Sequence, residues 1–154
     1  MILGIHHTAI STPDLERSLA FYRDILGAKV ASEFEWPVGA EIADQIVGLQ
    51  GSSARAVMLK LGNAMIELFE FDSPEPREGD PKRPVCDHGI THLCLDVTDI
   101  QAEYERLVAA GMTFHCPPQN LGAAWATYGR DPDGNVVELQ EVVDHSSPMY
   151  LALS

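Results

Sequence analysis

Two histidines and two glutamates occupy matched places in a chain that repeats itself. "GIHHT" at 4–8 reads back as "GITHL" at 89–93, and "AMIELFEF" at 64–71 lies over "NVVELQEV" at 135–142. The repeat pairs His7 with His92 and Glu67 with Glu138. A glutamate in the middle of an apolar strand is costly to bury unless it is paired or bound to a cation. Imidazole nitrogen and carboxylate oxygen together suit a divalent transition metal such as Zn, Ni, Co, Mn or Fe. The four residues therefore read as the ligands of one metal ion, each half supplying one His and one Glu. An ion of that charge nearly cancels two carboxylates. His6 competes with His7 for the first place, and both the repeat register and strand alternation favour His7.

The elements that must position these groups also come in two sets. "GIHHTAIST" suits a strand. Thr12 is then expected to cap a helix, with Pro13 at its first position and Asp14 and Glu16 in its first turn. Leu15, Leu19, Tyr22 and Leu26 recur at helical spacing, and Gly27 ends the run. In the second copy Thr98 to Gln101 matches a capping box, Ile100, Tyr104 and Leu107 share a face, and Gly111 is the terminator. Three strands follow in each half, at about 28–35, 54–61 and 64–71, then about 112–116, 122–130 and 135–142. "LGN" at 61–63 and "DPDGN" at 131–135 are tight-turn signals before each last strand. Alternation puts His7 and His92 on the face away from the helices.

The order is thus βαβββ twice, at about 3–71 and 88–143 of one domain, with residues 144–154 as a tail. Residues 36–53 are the extra piece of the first copy. "DSPEPREGDPKRPVCD" at 72–87 holds four prolines and reads as a linker. Arg77, Lys82 and Arg83 there could bind an acid group, but solvated charges are the expectation, and Arg130 is expected to support the "DPDGN" turn through its aspartates. Trp36 on the insertion and Trp125 before the last turn are the candidate substrate-contacting residues.

Ten basic against 23 acidic residues give a net charge of −13. Nucleic acid and anionic membranes are therefore not expected partners, whereas a small-molecule substrate is. Cys86, Cys94 and Cys116 show no CxxC spacing, so a disulfide framework or thiolate zinc site is not expected and a cytoplasmic, reducing setting is. "MILGIHHTAI" lacks the basic start of a signal peptide. Open sheets leave edges to cover, which favours a homodimer. Ligands drawn from one chain or from two are equally compatible with the repeat.

"HHTAISTPDLERSLAFYRDILG", "HGITHLCLDV" and "YGRDPDGNVVELQE" resemble the vicinal-oxygen-chelate superfamily, which includes glyoxalase I, methylmalonyl-CoA epimerase, extradiol dioxygenases and the bleomycin- and fosfomycin-resistance proteins. The resemblance covers nearly the whole chain. It implies an α+β fold of paired βαβββ modules forming an open, U-shaped mixed β-sheet with helices on its outer face. It places His7, Glu67, His92 and Glu138 on the four ligand positions. That set is most similar to bacterial glyoxalase I; methylmalonyl-CoA epimerases tend to carry Gln where Glu67 stands. The activity implied is a metal-dependent lyase, isomerase or epimerase that transfers a proton next to a carbonyl. Glu138 is the first choice of base and Glu67 the second. An Fe(II) ring-cleaving dioxygenase is the alternative, against which Glu67 counts because it fills a position such enzymes leave open. A drug-binding resistance protein without catalysis is the third reading.

Overall fold

The computed structural model describes residues 1–152. The chain divides into two compact units, Met1–Gly79 and the segment from Asp80 onwards. The boundary falls inside the proline-rich stretch, so its second part folds with the second unit.

In the first unit the strands are β1 (His7–Ser11), β2 (Lys29–Trp36), β3 (Ser53–Leu61) and β4 (Ala64–Ser73), with α1 (Leu15–Leu19) after β1. Sheet order is β1-β4-β3-β2, with β1 parallel to β4 and the other pairs antiparallel. α1 runs on as π-helical turns over Ala20–Ile25, and Gly27 ends them at φ +81°. Ile66 and Leu68 alternate with Glu67 along β4 and are buried, as are Leu15, Leu19, Phe21, Tyr22 and Leu59. Each such side chain contributes about 1.5–3 kcal/mol by leaving water, and this apolar face leaves Glu67 to the other.

In the second unit β5 (Leu93–Asp96), α3 (Ile100–Ala109), β6 (Thr113–Phe114), β7 (Gln119–Asn120), β8 (Ala124–Arg130) and β9 (Val136–Val142) follow. Sheet order is β5-β9-β8-β6, and β7 also pairs with β8. Ile100, Leu107, Val137 and Leu139 form its core. The architecture is α+β with two mixed sheets, as the repeat implies. Among the described residues no helix is long and apolar enough to cross a membrane.

Both helix starts differ from the sequence expectation. Asp14, not Thr12, caps α1 by accepting from the Arg17 N–H, and Thr12 instead accepts from the Asp14 N–H and the Ser18 hydroxyl. Asp99, not Thr98, caps α3 by accepting from the Ala102 N–H. The reason lies across the sheet. Glu70 of β4 accepts from the Leu15 N–H, and Glu141 of β9 accepts from the Asp99 and Ile100 N–H groups. A strand carboxylate satisfies the orphan donors that a local capping box would otherwise take. Glu70 and Glu141 are themselves matched by the repeat. Each lies three residues after a site glutamate, which sends it to the opposite face of its strand.

The insertion, expected only as extra chain, contains a further helix, α2 (Glu41–Val47). Asp44 ties it down. Its carboxylate accepts from the N–H groups of Gly51 and Ser52 and from the Ser52 hydroxyl. Those hydrogen bonds, led by the one from the Ser52 hydroxyl, hold the Asp44 carboxyl below its ordinary value of 3.8. A depressed folded-state value stabilises the fold above 3.8 and ceases to do so as pH falls through that lower value. Asp44→Asn should accordingly lower the melting temperature by a few degrees at pH 7, with the gap to the parent closing in strong acid. Thermal unfolding of both proteins across pH is the check; a gap independent of pH would mean Asp44 acts without its charge.

Candidate metal and proton-transfer site

Each unit presents one His–Glu pair on the sheet face opposite its helix. In the first, His7 Nε2 lies 3.2 Å from Glu67 Oε2; in the second, His92 Nε2 lies 2.9 Å from Glu138 Oε2. Parallel pairing of the first and last strands makes the contact. Ala9 is opposite Glu67 and Cys94 opposite Glu138, so each histidine projects from two residues upstream on the same face. Glu67 is buried at 8% exposure. The side chains of His92 and Glu138 are exposed by 26% and 13%, and that of His7 by 37%, so these polar groups are covered yet reachable. His6 Nδ1 sits 2.9 Å from His7 Nδ1, which occupies the side of the His7 ring away from Glu67. Thr91 holds His92 in the same way, with its hydroxyl 2.8 Å from Nδ1.

These pairs fit a metal's donor geometry. Two donors at right angles, each ~2.1 Å from an ion, lie about 3 Å apart, which is the separation seen in both pairs. Among the described residues no group of three or more His, Cys, Asp or Glu side chains is placed to hold a metal ion; what is present is the two pairs.

Two further side chains adjoin the second pair. Tyr128 is opposite Glu138 in the β8–β9 register, and its ring centroid is 4.9 Å from that of His92. Burial, then the charge of Glu138, raises its pKa. Cys94 is exposed as a residue, but its thiol hydrogen-bonds Glu138. Burial of the sulfur, followed by the Glu138 charge and that hydrogen bond, pushes the thiol up to about 12. Parity is a signal for Cys94, which follows His92 by two residues, whereas Tyr128 follows only from the β8–β9 register.

Of the two tryptophans, Trp36 lies on the face of His7 and Glu67, linked to it through Ala54 and the ring of Phe69. Trp125 does not share the face of His92. It is opposite Glu141, whose carboxylate caps α3, and it stands three residues from Tyr128. Arg130 supports the turn by donating to the Gly134 carbonyl, and it also donates to the Arg83 carbonyl.

Two βαβββ units, each with a His and a Glu apposed at the same positions, define the duplicated vicinal-oxygen-chelate class of fold. The chain belongs to the glyoxalase/bleomycin resistance protein/dioxygenase superfamily, whose family model matches residues 4–139. It is 31% identical over 153 residues to an ethylmalonyl-CoA/methylmalonyl-CoA epimerase of Cereibacter sphaeroides, covering 92% of this chain and 100% of that one. It is 30% identical over 109 residues to a 2-epi-5-epi-valiolone epimerase of Actinomyces sp, covering 70% of this chain but only 58% of the relative's length. A crystal structure of a glyoxalase family protein from Bacillus cereus shares the fold with a TM-score of 0.81 at 22% identity, over 92% of this chain and 95% of that one.

Proposed function

We propose that this protein is a divalent-metal-dependent epimerase, or a lyase or isomerase of the same chemistry, that moves a proton on the carbon next to a carbonyl. The observation that carries the reading is the pair of His–carboxylate contacts at equivalent places in both units. The similarity to two named epimerases supports the reaction class.

His7, Glu67, His92 and Glu138 would hold the ion, which supplies Lewis acidity to the carbonyl oxygen when bound. Glu138 takes the proton from the adjacent carbon, and the electron pair of the broken C–H bond moves toward the carbonyl oxygen. Glu67 returns a proton to the opposite face of that carbon, or Glu138 returns it to the neighbouring one. The first outcome is epimerisation and the second isomerisation. Tyr128 packs on the His92 ring and holds it toward Glu138. The substrate is a small molecule, and we place the protein in the cytoplasm as a homodimer, in keeping with three free cysteines and open sheet edges.

Metal analysis tests the cofactor and isotope exchange tests the chemistry. The purified protein should carry about one divalent ion per chain. It should exchange the proton next to the carbonyl of 2-substituted acyl thioesters or 2-oxo hemithioacetals in deuterium oxide. A chelator should abolish exchange, and Zn, Mn, Co or Ni should restore it. Full exchange after complete metal removal would sink the proposal, as would catechol-dependent oxygen uptake with bound ferrous iron.

A further inference from the structure

The face that carries His7 and Glu67 is aromatic beyond them. Four of the seven Phe and Trp residues in the chain, Phe34, Trp36, Phe69 and Phe71, lie on it together. Phe69 and Phe71 stack with centroids 5.6 Å apart. Trp36 meets both rings edge-on at 6.1 and 5.9 Å, and Phe34 meets Phe69 at 6.3 Å. These rings close over Ala54 and Ala56, which are 2% and 1% exposed, yet none of the four is buried itself. Beside Phe69 and Glu67 on β1 stand only Ser11 and Ala9, small and exposed. Phe69 follows Glu67 by two residues, a step of about 6.6 Å along the strand. A flat group therefore has a ring to lie against one step from the carboxylate.

The indole is fixed from behind. Trp36 Nε1 donates to the Ser52 hydroxyl at 2.9 Å, and that hydroxyl, on a fully buried residue, donates in turn to Asp44. An aromatic side chain so held presents its surface without losing further rotamer freedom when a ligand arrives.

We infer that Phe69, backed by Phe34, Trp36 and Phe71, selects substrates whose reacting carbon bears a planar unsaturated substituent, aryl or alkenyl, over those bearing a small alkyl group. Ser52 and Asp44 are positioning residues for Trp36. The inference rests on proton transfer at Glu67 and Glu138, so its test has one arm that needs no turnover.

In that arm, a Trp125→Phe background leaves Trp36 as the sole tryptophan, and its fluorescence reports the binding of phenylglyoxylate or pyruvate. Phenylglyoxylate should bind about tenfold more tightly than pyruvate, in line with ring–ring contact. Phe69→Ala should abolish that advantage, and Phe69→Leu, which keeps apolar bulk, should retain part of it. Ser52→Ala should shift the Trp36 emission and raise KM for the ring-bearing substrate more than it lowers kcat. In the turnover arm, the rate ratio for exchange of 2-phenylmalonyl over 2-methylmalonyl N-acetylcysteamine thioesters should fall about tenfold in Phe69→Ala. Equal binding of the two acids, or an advantage unchanged in Phe69→Ala, overturns the inference while exchange upholds the proposed chemistry. A binding advantage without exchange on any substrate does the reverse. A changed sedimentation coefficient in Phe69→Ala with no change in ligand preference would assign the wall to a second copy of the chain and overturn the inference.

Discussion

Glu138→Gln should keep much of its metal and lose proton exchange by about a thousandfold, since a positioned general base is worth roughly 10²–10⁴ in rate. Glutamine is isosteric and retains one carbonyl oxygen as a donor, so the loss falls on the base rather than on the fold. Glu67→Gln should cost less on a substrate whose proton returns to the face it left. It should cost as much as Glu138→Gln where the product is the opposite epimer. The environment of Glu138 offers a control independent of turnover. Two of the three main causes that lift the Cys94 thiol to about 12 are the Glu138 charge and its hydrogen bond. Removing the charge leaves burial, the largest cause, and the charge of Asp96, so the thiol should fall only part of the way toward its ordinary value of 9.0. Alkylation of Cys94 in metal-free protein, followed by mass spectrometry between pH 8 and 10, should therefore be faster in Glu138→Gln than in the parent. If turnover is unchanged, Glu138 is not the base; if Cys94 reactivity is also unchanged, its carboxylate does not face the thiol.

The comparison of Glu138 with Glu141, and of Glu67 with Glu70, shows what the amino-acid order reveals and what it conceals. Both matched pairs were visible as repeats. Parity separated them: residues three apart on a strand face opposite ways, so one glutamate of each pair meets the histidine and the other meets the helix. The destination of the second was not legible, because capping of Leu15 by Glu70 and of Ile100 by Glu141 spans 55 and 41 residues. The local rule points to Thr12 and Thr98, whereas Asp14 and Asp99 cap the helices and the distant carboxylates take further donors of the first turn. α2 carries Ile42 and Ile46 at helical spacing, with Leu49 one turn on, but they face solvent rather than a core, so the short periodic run sits inside what reads as an insertion. Its anchor is the Asp44–Ser52–Trp36 chain, a polar device with no period at all. Tyr128 and Trp125 were separable only once the hairpin register was known, since the length of the turn decides which of the two falls opposite Glu138.

That same hairpin supplies the largest expected effect on stability. Gly134→Ala should destabilise the protein by about 3 kcal/mol or more, from two sources that act together. Gly134 has φ +87°, which costs an L-residue roughly 1–2 kcal/mol. In addition, a Cβ there would lie 2.3 Å from both the Cα and the carbonyl oxygen of Pro81, and backbone cannot swing aside as a side-chain tip can. Pro81 is pressed against the turn because Arg130 holds both sides of it. One guanidinium nitrogen donates to the Gly134 carbonyl at 2.6 Å and another to the Arg83 carbonyl at 2.9 Å. Arg83 in turn donates to the Ile90 carbonyl, just before β5 and His92. The segment from Asp80 to Arg83 is thus clamped between the β8–β9 turn and the approach to the second histidine. The matched turn of the first unit is the control. Gly62 has φ +54° but nothing within 4 Å of an added Cβ, so Gly62→Ala should lose only the conformational part, about 1 kcal/mol. Chemical denaturation of the two variants measures the difference, and limited proteolysis should cut near Pro81 in Gly134→Ala alone. Equal losses in the two variants would mean that Pro81 does not rest on the turn, and that His92 owes its position to β5 and β9 without help from the clamped segment.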